Sequence, residues 1–198
     1  MIRSKKLIMI LMILLIFGIW VYMVYDVNHR FPNPVNIACE PGETAGYKGV
    51  TLTAGEIEIF SYDEALEHYP SLADAYKSLG TDSTDSSENA RNYSYVLVHV
   101  CLENTTDNTI SFGKESIILW TMEAGTHQNG TDFFQFTILN PEYRGSVAAH
   151  ETIDLILPYG MSLNYMSLEE LKSSDIRIVY SYYPTKNYLY YQSAMEES

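Results

Sequence analysis

Two cysteines, five histidines and 17 tyrosines carry most of the chemical potential of this 198-residue chain, and their spacing limits what that chemistry can be. Cys39 and Cys101 could close one disulfide, a bond permitted outside the cytoplasm, or Cys101 could serve as a small buried hydrophobe with a free thiol. His29, His68, His99, His127 and His150 show neither His-x-x-x-His nor His-Glu-x-x-His spacing. A zinc site would have to be assembled wholly by the fold, and structural roles are expected instead. His99 and Cys101 lie two residues apart on one strand face, about 7 Å from each other, too far for a thiol–imidazole hydrogen bond. Asp82, Asp85 and Glu88 form an acidic cluster without the glycine and alternating carboxylates of an EF-hand, so a solvated loop is expected there rather than a calcium site. There is no Gly-rich phosphate loop and no Gly-x-Ser-x-Gly, and no catalytic residue, metal ligand or cofactor is assigned.

The unusual feature is tyrosine, because Tyr180, Tyr182, Tyr183, Tyr188, Tyr190 and Tyr191 crowd one short segment. A tyrosine offers a rigid apolar ring with a polar tip, which suits recognition of peptides or sugars. Tyr183, Tyr188, Tyr190 and Tyr191 are the candidate recognition surface. The competing reading is that period-two positions such as Tyr180 and Tyr182 simply pack the sheet.

Strands must position these residues. In Tyr93 to Glu103, Val96, Val98, Val100 and Leu102 fall on one face, with Tyr95, Leu97, His99 and Cys101 on the other. Asn104 to Thr109 is rich in turn formers and should reverse the chain as a hairpin into a strand through Ile110 and Phe112. Further strands are expected over 49–60, 116–123, 133–139, 152–157 and 175–183, with an edge strand over 188–192. Short strands separated by turn signals point to an antiparallel sandwich or barrel. Ser61-Tyr-Asp-Glu64 and Ser167-Leu-Glu-Glu170 match the capping box and should each open a short helix. Leu72, Ala75, Tyr76 and Leu79 continue the first region at helical spacing. Residues 81–89 contain nothing apolar, so a flexible loop is expected over 80–91.

The charge is as unevenly placed as the apolar content. Leu7 to Tyr25 is a 19-residue run with no charged residue; Arg3, Lys5 and Lys6 precede it, and all 25 acidic residues follow it. A helix of that length spans roughly 28 Å, close to the thickness of a bilayer core. Basic residues before the run and Trp20, Tyr22 and Tyr25 at its far end predict an uncleaved signal anchor, N-terminus in the cytoplasm and remainder outside. Residues 1–6 form the cytoplasmic tail, 7–25 the anchor, 26–34 a stiff proline-containing stalk, and 35–198 the extracytoplasmic domain. Removing the three leading bases leaves nine bases against 25 acids, a net charge of −16 on the displayed part. That excludes nucleic-acid binding through backbone charge, disfavours tight association with anionic lipid or teichoic acid, and favours a basic partner.

The segment Tyr95-Val-Leu-Val-His-Val-Cys-Leu-Glu-Asn-Thr-Thr-Asp-Asn-Thr-Ile-Ser-Phe112 resembles telokin-like, immunoglobulin-like domains of unknown function. These occur on the surface of Gram-positive bacteria behind a lipid or membrane anchor. Glu151-Thr-Ile-Asp-Leu-Ile-Leu-Pro158 resembles that family's penultimate strand, whereas the insertion over 61–89 departs from it. The resemblance implies an immunoglobulin-like β-sandwich and an extracytoplasmic location, and it carries no catalytic residues. The expected role is a membrane-anchored binding or interaction module, not an enzyme, with a protein or glycan partner. The alternatives are a cell-envelope hydrolase or a structural subunit of a transport or secretion complex.

Overall fold

The computed structural model describes residues 2–31, 34–78, 91–113 and 116–192. The chain forms two units, residues 1–35 and 36–198. The first is helix α1 (Ile2–Arg30). Its segment Met9–Arg30 has a mean hydropathy of 2.3, none of it is buried, and it is long and apolar enough to cross a membrane. Residues 26–30, expected as part of an extended stalk, continue the helix, and Arg30 Nε pairs with Asp26 one turn back at 3.0 Å. The stiffening effect of the prolines is therefore confined to the residues after Arg30.

The second unit is a mainly antiparallel β-sandwich with short helices. Strands β1 (Val35–Cys39), β2 (Thr44–Tyr47) and β3 (Val50–Ser61) lead into α2 (Tyr62–His68) and α3 (Pro70–Ser78). Next come β4 (Tyr93–Glu103), β5 (Ile110–Ser111), a 3-10 turn (Ile117–Leu119), β6 (Thr121–Ala124) and β7 (His127–Gly130). Helix α4 (Phe133–Leu139), β8 (Ser146–Val147), β9 (Thr152–Ser162), α5 (Leu168–Lys172), β10 (Ile176–Ser181) and β11 (Thr185–Tyr191) complete the domain. One sheet has the order β1-β11-β10-β6-β7, the facing sheet β2-β3-β4-β9, and β5 and β8 form a two-stranded ribbon.

Between the sheets lie Val96, Val98, Val100 and Leu102, matching the predicted inward face, against Met122, Ile176, Ile178 and Leu189 from the opposite sheet. The other face of β4 is less polar than its solvent-facing position would suggest. Tyr95 and Leu97 are also buried, because α2 packs against that side of the strand. Both capping boxes form as expected, with Ser61 and Ser167 each exchanging hydrogen bonds with the glutamate three residues on.

Four expectations about the strands fail for identifiable reasons. Residues 133–139 form a helix, not a strand: Asp132 caps it by accepting the Gln135 N–H at 2.9 Å, overriding the β preference of Phe-Phe-Gln-Phe-Thr-Ile-Leu. The region 116–123 divides into a 3-10 turn, capped by Ser116, and the four-residue strand β6. The hairpin after β4 also does not form, since β5 pairs with β8, at Ile110–Val147 and Ser111–Ser146. Asn104 explains this. Its fully buried amide donates to the carbonyls of Asn108, Val147 and Ala148 at 2.8, 3.1 and 2.8 Å and accepts from the Thr106 N–H and hydroxyl. The turn is thereby tied to the β8 region instead of folding back on β4. The last strand, β11, is also not an edge, because β1 lies outside it.

The outer border of β9 is occupied by side chains. Asn140 both accepts from the Ile156 N–H and donates to its carbonyl, each at 2.8 Å. The Asp132 N–H donates to the Pro158 carbonyl, and the Asn129 amide donates to that of Gly160.

Candidate functional site

The two cysteines are both free thiols, so the candidate disulfide is not formed. Cys39, on β1, is buried in the core, whereas Cys101 lies on the outward face of β4, opposite Val100 and Leu102. Strand alternation alone thus points the two side chains to different environments. Burial, reinforced by the Glu43 carboxylate, pushes the Cys39 thiol up; burial and the Asp154 carboxylate do the same for Cys101. Neither thiol has the electropositive surroundings of a reactive thiolate. Asp82, Asp85 and Glu88 lie outside the described residues. Among the described residues, no group of three His, Cys, Asp or Glu side chains is arranged to hold a metal.

His99 does have a partner, though not Cys101. Its Nε2 lies 3.0 Å from Glu58 on β3 and 3.4 Å from the Tyr69 hydroxyl, which also donates to Glu58. Glu58 pairs across the sheet with Leu97, so His99 is its diagonal neighbour on the outward face. Gly55, at the register irregularity of β3, lets that strand lie close to the β4 backbone, since a Cβ there would sit 2.7 Å from the His99 carbonyl oxygen. Burial works to raise the Glu58 carboxyl, but the hydrogen bonds from Tyr69 and His99 outweigh it and hold it below the usual carboxylate range. Tyr69 is raised by burial and by Glu58. The cluster ties the α2–α3 insertion to the sheet. Nothing in the sequence gives the register of two strands separated by more than thirty residues, so this grouping was not legible there.

The predicted tyrosine surface separates into two populations. Tyr191 is buried, pointing inward beside Leu189, and burial raises its hydroxyl. Tyr188 and Tyr190 form an edge-to-face pair at 6.4 Å on the opposite face of β11, with the Arg177 guanidinium 5.5 Å from the Tyr188 ring. Of the four candidates, only Tyr183 is more than half exposed, at 51%. Tyr182, which the competing reading would pack against the sheet, is 48% exposed.

Tyr182 belongs to a cleft that the sequence pattern did not reveal. The β2–β3 turn, the 3-10 turn and the β10–β11 turn converge at one end of the sandwich around a cavity of about 380 Å³. Its aromatic floor is an interlocked trio: Tyr47 and Trp120 meet edge to face at 5.0 Å, and Tyr180 lies 5.3 Å from Trp120 and 5.7 Å from Tyr47. The Trp120 indole N–H donates to the Tyr47 hydroxyl at 3.2 Å, and burial pushes the Tyr180 hydroxyl up to about 12. Leu119, 64% exposed, and Tyr182 stand at the sides, with Ser116, Ser181 and Asn187 supplying polar lining. Tyr182 is braced by Lys186, whose ammonium lies 5.8 Å from the ring centroid and is held by both Glu123 oxygens at 2.9 and 2.7 Å. These residues come from chain segments some 130 positions apart, so local periodicity carries no trace of them.

A second cavity, about 440 Å³, lies between the turn that follows α4 and the start of β9. It is lined by Tyr143, Arg144 and the acidic Glu142, Glu151 and Asp154.

Solved structures of three uncharacterised proteins are similar to parts of this chain. An uncharacterised β-sandwich protein from Clostridium difficile 630 is 11% identical, with a TM-score of 0.42, over 79% of this chain and 96% of that one. A functionally unknown protein from Listeria monocytogenes EGD-e is 12% identical, with a TM-score of 0.42, over 68% and 66% respectively. A conserved hypothetical protein from Bacillus anthracis is 8% identical, with a TM-score of 0.44, over 76% and 94%. No curated protein matches the chain. A family model described as "Domain of unknown function (DUF5028)" matches residues 24–187, most of the chain and nearly all of the sandwich, and the protein therefore belongs to that family.

Proposed function

We propose that this protein is a membrane-anchored binding module whose α1 helix crosses the bilayer with its N-terminus in the cytoplasm and whose β-sandwich engages a partner outside the cell. The observation that carries the binding role is the cleft, where a braced and half-exposed tyrosine stands over an aromatic floor. Concave sites that combine apolar surface with placed polar groups are the usual form of a recognition site. The titratable groups of the Glu58–His99–Tyr69 cluster bond to one another, which favours a structural role for them and a binder over a hydrolase. The membrane location draws support from an exposed apolar surface on α1 that water would not tolerate unaided, and the orientation from the bases that precede it. The likeness to telokin-like surface domains fits the same location.

Protease treatment of intact spheroplasts and of inverted vesicles tests the arrangement. The sandwich is expected to be digested from the outside only, leaving a short membrane-protected fragment; full protection in spheroplasts would overturn the proposal. Replacing Leu7 to Tyr25 with an unrelated apolar helix should preserve partner binding, whereas its loss would favour the structural-subunit alternative.

A further inference from the structure

Resting on that reading of the cleft, we infer that its ligand is a neutral pyranose unit of a glycan. The volume, about 380 Å³, sits near the lower end of the range of roughly 300–1,000 Å³ for ligand sites, which suits one ring-sized group better than an extended segment. A pyranose has an apolar C–H face and a rim of hydroxyls, and the cleft offers both complements. Leu119 and Tyr182 provide exposed apolar surface, 64% and 48% accessible. Ser116, Ser181 and Asn187 line the same space, and each has a side-chain group that both donates and accepts, as sugar hydroxyls do.

Charge narrows the class further. Among the described lining residues the one ionised at neutral pH is Lys48, and none is a carboxylate that would attract a cationic ligand. A polyanion would meet the repulsion of a portion carrying −16 overall, and a neutral sugar meets neither obstacle. Pre-organisation adds to the case. Tyr182 is held from one side by Lys186, itself locked to Glu123, so an exposed ring that would otherwise lose rotamer freedom on binding is already placed. The floor beneath is rigid for the same reason, because Tyr47, Trp120 and Tyr180 brace one another and Trp120 is hydrogen bonded to Tyr47.

Calorimetric titration of the full chain in phospholipid nanodiscs tests this, using β-1,4-linked N-acetylglucosamine trimer, cellotriose and maltotriose as probes and a proline-rich decapeptide as the competing class. Saturable binding of at least one oligosaccharide is expected. Tyr182→Ala and, independently, Leu119→Ser should each weaken it about tenfold, the size of an ordinary anchor-residue loss. Tyr165→Ala, at an exposed aromatic outside the cleft, should leave it unchanged. The inference is overturned if no oligosaccharide saturates the chain, or if binding is indifferent to both cleft variants. Tyr182-dependent binding of the peptide alone would overturn the sugar assignment while sustaining the cleft as a recognition site; protease protection of the sandwich in spheroplasts would instead overturn its outside location.

Discussion

Replacing Asn104 with alanine should be among the most damaging single changes in the sandwich, despite its position in a turn. The side chain is fully buried and contacts three carbonyls through Nδ2 and two donors through Oδ1. A primary amide has two N–H groups, so one is shared and the residue makes four hydrogen bonds' worth of interaction. At about 1 kcal/mol each, the loss is about 4 kcal/mol, which for a domain of this size lowers Tm by about 8–16 °C. The near-ultraviolet circular dichroism of the tyrosine-rich core provides the thermal readout. A loss below about 1 kcal/mol would refute the view that Asn104 anchors the β5–β8 ribbon. The isosteric Asn104→Asp variant sharpens the test by turning a donor toward three carbonyl oxygens into a buried carboxylate. Such a group titrates above its unfolded value, so its stability is fully present below the unfolded pKa and is lost as pH rises through the folded one. The aspartate variant should therefore be less stable than the alanine variant at pH 7 and gain on it as the solution is acidified; equal stability at pH 7 would contradict the proposed geometry.

Three further expectations follow from the same structure. Denaturing alkylation without reductant should add two labels per chain, and native alkylation should reach Cys101 before Cys39; a mass showing no labels would mean that the thiols are bridged. Gly55→Ala should destabilise by about 1–3 kcal/mol, because its Cβ would collide with the His99 carbonyl, while Gly46→Ala, with open space around it, should stay within about 0.5 kcal/mol in urea titration. Glu58 titrates below its usual range when folded, so its stabilising contribution is present above the unfolded pKa and disappears as pH falls through the folded one. The stability gap between wild type and Glu58→Gln should accordingly be open at pH 7 and close in strong acid; a gap that widens on acidification would oppose this.

The alternation of Val96, Val98, Val100 and Leu102 made the central strand legible, and the Ser–Glu spacing made both capped helices legible, since each signal is local. One error was local: Asp132, the residue directly before Phe133–Leu139, supplies a helix cap that outweighs the β preference of the segment. Another arose where distant residues decide, because the polar run after β4 looks like a hairpin until Asn104 reaches β8. The tyrosine concentration in the last strands does not reveal which rings are exposed, because one residue of alternation separates buried Tyr191 from half-buried Tyr190, and the cleft draws Trp120 from the end of the 3-10 turn. The Glu58–His99–Tyr69 grouping depends on register across an insertion, which composition and spacing do not encode.

The amide of Asn140, seated on Ile156, acts as a single detached peptide unit at a sheet boundary. The borders β1, β2 and β7 span only four or five residues, whereas β9 spans 11. The longest template for strand addition is thus closed by Asn140, by Asn129 and by the backbone ahead of α4, with Pro158 removing one donor outright. Substituting both asparagines would free much of the longest strand border, and the domain should then become prone to fibrillar self-association through β9.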